Sequence, residues 1–157
     1  MQIQVYVTGE RQKVGRWLSL PVSVHDLKQA LAEITDGNEA CVIRDLQAPF
    51  TFESNDILAI NQAVIDLAEY DHRLVIALCG CIKSIEQIIR ILNSGSYRVL
   101  YGVDSLYDVA EVLMRPSHYG RGPDAHMRHI DIDRIICDLV AAGWYFQPDV
   151  HVAIQPL

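Results

Sequence analysis

The hydrophobic period changes twice along this chain of 157 residues, and those two changes limit the folds open to it. MQIQVYV at the start alternates with the period of two that a half-buried strand requires. After the polar turn GERQKVG, RWLSLP reads as a second strand ended by Pro21. Ser23 then caps VHDLKQALAEI, in which Val24, Leu27, Leu31 and Ile34 keep helical spacing until DGNE stops it. ACVIRDL and PFTFE read as short strands separated by Pro49. From Ser54 the period becomes that of helix. Ser54 or Asn55 is placed to cap DILAINQAVIDLAEY, and HRLVIALCGCI and SIEQIIRIL follow as two further helices. Beyond the Asn-Ser-Gly of 93–95 the chain returns to a strand, SYRVLYGV. Asp104 or Ser105 then caps a helix in SLYDVAEVLM, and a Pro/Gly loop, another helical stretch and the pair WYFQ and VHVAI complete the chain. The last two, split by Pro148-Asp149, have the form of a hairpin.

This order predicts an α+β protein, an elongated chain of three small modules. These are a sheet with one helix over 1–54, a helical middle over 55–96 and a second sheet with helices over 97–157. Half the residues are hydrophobic and about a fifth charged, a globular composition. The longest apolar run, LVIALCGCI at 74–82, is far short of the roughly 20 residues needed to span a bilayer. The start has neither the basic residues nor the apolar block of a signal peptide, so a cytoplasmic protein is expected, with no membrane partner. Four cysteines, of which only Cys79 and Cys81 are close, form no CxxC pair. They are expected to be buried free thiols.

The net charge of −7 is unevenly placed. Residues 1–17 carry one acid and three bases, whereas 18–71 carry ten acids against Lys28 and Arg44. Residues 72–98 hold one acid and four bases, and 99–157 hold eight acids and four bases. Direct nucleic-acid binding needs clustered Lys and Arg, so this distribution argues against it. On charge alone, an acidic surface that keeps a protein soluble is the favoured account.

The stretch MRHIDIDRIICDLVAAGW, residues 127–144, admits three readings. A metal site would use His126 and His129 with Asp131, but the HEXXH spacing with its glutamate base is missing. A catalytic carboxylate pair is unfavourable because Asp133 lies off the line joining Asp131, Arg134 and Asp138. The third reading is an amphipathic helix: Ile132, Ile135, Ile136, Leu139 and Val140 bury one face, and Asp131 caps or opposes the helix dipole. His25 and His118 stand alone. GRGP at 120–123 lacks the GK[ST] ending of a phosphate loop, and no nucleophile motif is present. Nothing in these residues reads as an active site, and no enzyme, metal or cofactor is expected.

Taken together the segments resemble one family. VYVTG followed by GRWLSLP resembles the opening of the ArdA antirestriction proteins, CVIRDLQAPF a strand-then-Pro-Phe segment of theirs, and INQAVIDLAE the start of their central helix. SLYDVAEVLM is similar to a tyrosine-aspartate-valine-alanine helix of that family. HIDIDRIICDL falls where its antirestriction motif lies, with Ile136-Cys137-Asp138-Leu139 in place of Gly-Arg-Asp-Leu. The resemblance runs from residue 5 to about 154. It implies a protein of a mobile genetic element that acts in a bacterial cytoplasm. Paired as a homodimer through its C-terminal module, such a protein would use carboxylates to imitate DNA phosphates in the groove of a host type I restriction-modification enzyme. The carboxylates so implied are Asp45, Glu53, Asp56, Asp66, Glu69 and Asp71, with Asp104, Asp108, Glu111, Asp131, Asp133 and Asp138 further on. The alternative is an interaction protein that is no mimic and docks through an apolar surface on another host defence complex, for example a CRISPR effector.

Overall fold

In the first three strands, alternation is converted directly into burial. The structure, a computed structural model, describes residues 1–37, 40–115 and 131–157. Strand β1 (Ile3–Gly9) buries Ile3, Val5 and Val7 and leaves Gln4 and Tyr6 half-buried. It is the central strand of an antiparallel sheet, between β2 (Arg16–Leu20) and β3 (Cys41–Gln47). Val5 faces Leu18 on one side and Leu46 on the other. The β1–β3 register slips between Tyr6/Asp45 and Val7/Ile43, so Arg44 is the extra residue of a bulge. The bulge sends the Arg44 guanidinium back to the buried Thr8, Nε donating to Oγ1 at 3.1 Å. Gly15 passes so close to β1 that a Cβ there would lie 1.9 Å from the Val7 carbonyl oxygen. The Tyr6 hydroxyl accepts from the Gly15 amide at 2.8 Å.

Helix α1 (Val24–Thr35) starts where its cap predicts, with the Ser23 hydroxyl accepting from the Asp26 amide, and ends on Asp36 in the left-handed conformation. It packs on β1 through the fully buried Leu27. Helix α2 (Ile57–Leu67) is capped by Asp56, not by Ser54 or Asn55. The helix begins at Ile57, one residue later than a cap at Asn55 requires and two later than a cap at Ser54. The Asp56 carboxylate accepts from the Leu58 amide, while Ser54 accepts from the Asp56 amide in the turn before it. PFTFE is not a strand. Only Thr51 pairs, with Ser84, because segment 83–85 enters a helix at once and its backbone is then committed to intrahelical bonds. Phe50 is buried and meets Phe52 edge-to-face at 5.3 Å.

Helices α3 (His72–Cys81) and α4 (Ile85–Ser94) follow, then β4 (Tyr97–Tyr101), α5 (Leu106–Met114), α6 (Ile132–Ala141), β5 (Tyr145–Gln147) and β6 (Val152–Pro156). β5 and β6 form the expected antiparallel pair, joined by the short 3-10 helix Pro148–Val150 and by His151 at φ +52°. β6 lies between β4 and β5 and is buried at Val152, Ala153 and Ile154. The class is α+β, with two antiparallel three-stranded sheets among the described residues. No helix among them is long and apolar enough to cross a membrane.

Contacts divide the chain into two compact units, residues 1–72 with 82–90, and residues 73–81 with 91–157. The helices over 55–96 are shared between them. In the second unit Val103, Val109, Trp144 and Ala153 form a core, flanked by Leu100, Leu106, Leu139 and Phe146. Gly80 of α3 lies against the Tyr145 ring, 2.5 Å from the position a Cβ would take.

One expectation about α6 fails. The helix forms and Asp131 caps it, accepting from the Asp133 and Arg134 amides at 3.1 and 3.4 Å. Yet no residue of the helix is fully buried: Ile132 is 38% exposed and Val140 55%. Its neighbour α5 buries only Val109 and Ala110, a surface too small to cover a five-residue stripe. The cysteines also differ from expectation. All four are free thiols, but Cys81 and Cys137 are exposed and Cys41 is half-buried, so only Cys79 packs as a core residue. Cys81 is the last residue of α3, and Cys137 stands off the apolar stripe of α6.

Candidate functional site

The carboxylates singled out from the sequence divide evenly between the two units. Asp45, Glu53, Asp56, Asp66, Glu69 and Asp71 lie in the first, the other six in the second. All are exposed except the half-buried Asp66 and Asp108. Several also hold the backbone. Asp56 and Asp131 cap helices, and Asp108 accepts from the Asp104 amide at 2.7 Å in the first turn of α5, whose cap is Ser105. Asp45 accepts from the Leu46 amide beside the bulge, and Asp66 takes a bond from Gln62 one turn earlier.

Two local groupings arise from tertiary structure. In the first unit Glu53 and Glu86 flank Ser84, whose hydroxyl lies 3.4 Å from Glu53 Oε1 and 2.9 Å from Glu86 Oε2. Burial alone would push the Glu86 carboxyl up. Bonds from the Glu53 amide, its own amide and the Ser84 hydroxyl outweigh that and hold it below the ordinary glutamate value. In the second unit the αL turn at His151 brings its Nδ1 to 2.8 Å from Asp104 Oδ1, across 47 residues of sequence. Glu86 and His151 were not legible as site neighbours, since neither spacing nor motif joins them to their partners. Asp45, Asp66, Glu69, Glu111 and Asp138 form no ion pair with Lys or Arg among the described residues.

The second unit also contains an apolar groove of about 460 Å3, lined by Leu106, Tyr107, Ile136, Val140, Trp144 and Phe146 among others. A smaller cleft continues between α5 and α6, where Tyr107, Ala110 and Met114 face Ile132 and Ile135. The Tyr107 hydroxyl donates to Asp133 Oδ1 at 3.2 Å. This bond to a carboxylate, followed by the carboxylate's charge, holds the phenol protonated above its ordinary value. The helical spacing of the Ile/Leu/Val stripe points to a buried face and not to a groove, and Tyr107 and Trp144 carry no signal as its walls.

His126, His129 and His118, like GRGP at 120–123, lie outside the described residues. Among the described residues no three His, Cys, Asp or Glu side chains are grouped to hold a metal ion. His25 is exposed on α1. No family model matches this chain, and no curated protein matches it.

Proposed function

We propose that this protein inhibits a host type I restriction-modification enzyme by presenting carboxylates in place of DNA phosphates. The observation that supports this reading best is the set of exposed acids on both units, several of which have no Lys or Arg ion-pair partner among the described residues. An exposed carboxylate that is not internally neutralised keeps its charge for an external cation. A groove of Lys and Arg built for a polyanion would attract such a surface and accelerate its association. No catalytic group or cofactor is required. DNA cleavage by a purified type I enzyme provides the test. Stoichiometric protein should suppress cleavage, excess duplex should restore it, and affinity should fall steeply between 50 and 200 mM salt, roughly as DNA affinity itself does. Inhibition insensitive to both duplex and salt would overturn the reading.

One specific observation favours a second reading, that the protein docks on another host defence complex through an apolar surface. The apolar stripe of α6 is covered only in part, with Ile132 and Val140 exposed, and it opens onto a groove.

A further inference from the structure

We draw no further inference here: the strongest candidate, the partly exposed Tyr6–Trp17 ring pair across β1 and β2 of the first sheet, has the oppositely charged Arg44 and Asp45 of β3 on its other side, and nothing in the structure shows what covers it.

Discussion

Asn61 is the buried side chain on which the entry into α1 depends. It is 1% exposed, donates to the Val22 carbonyl at 2.8 Å and accepts from the Val22 amide at 3.0 Å. A side-chain amide thus supplies both partners that a neighbouring strand would otherwise give. Asn61→Leu keeps the apolar contacts of α2 but leaves two backbone groups unsatisfied. It should lower unfolding free energy by about 2 kcal/mol in urea denaturation, with little change in the slope. A loss below about 0.5 kcal/mol would mean that water replaces the amide. Glu86 makes a prediction in pH. Its folded carboxyl lies below the ordinary 4.5, so its contribution is present above that value and is lost as pH falls through the lower folded value. Stability should therefore drop with acidification below about pH 4.5, and Glu86→Gln should flatten that part of the profile. An unchanged profile in the variant would rule out this carboxylate as the source.

At the scale of elements, α6 is the case in which sequence pattern and packing separate. Its apolar stripe is correctly spaced, yet tertiary contacts cover it only in part, with Leu139 against the core. A helix that buries so little depends more than usual on its cap. Asp131→Ala should cost about 1 kcal/mol and raise amide exchange across 132–141, while Asp131→Asn, which can still accept from the Asp133 and Arg134 amides, should cost far less. Similar exchange in the two variants would show that charge rather than capping sets the stability of the helix. β3 shows the converse, because its bulge at Arg44 leaves no trace in the alternation of CVIRDLQ, and the bulge brings the Arg44 guanidinium to Thr8.

For the whole molecule the question is whether the carboxylates act singly or as a field. Each screened surface charge contributes about 0.2–1 kcal/mol to an encounter, so Asp45→Asn, Glu69→Gln or Glu111→Gln made singly should be nearly silent in an inhibition assay. Neutralising four or more of the acids at Asp45, Glu53, Asp56, Asp66, Glu69 and Asp71 should weaken inhibition progressively and flatten its salt dependence, while circular dichroism stays unchanged. Asn is the right replacement at Asp56, because it preserves the cap of α2. One all-or-none carboxylate among Asp104, Asp108, Glu111, Asp131, Asp133 and Asp138, with the first patch freely neutralised, would contradict the mimic reading and point to a discrete site.

Local order was legible from the residues alone. Alternation in IQVYVTG, the Ser23 cap, the helical spacing of α2 and the Pro-Asp break before β6 each depend on side chains within one turn or one strand, where period and capping act. The distribution of acids was legible for the same reason, since charge is a property of the residue. Only tertiary structure decided what each surface faces. It reduced PFTFE to a single bridge because its partner segment becomes helix, and it joined His151 to Asp104 by closing a hairpin. It also left the α6 stripe open because α5 offers only Val109 and Ala110 as buried side chains. Burial depends on the partner surface as well as on the pattern, and the partner surface lies elsewhere in the chain.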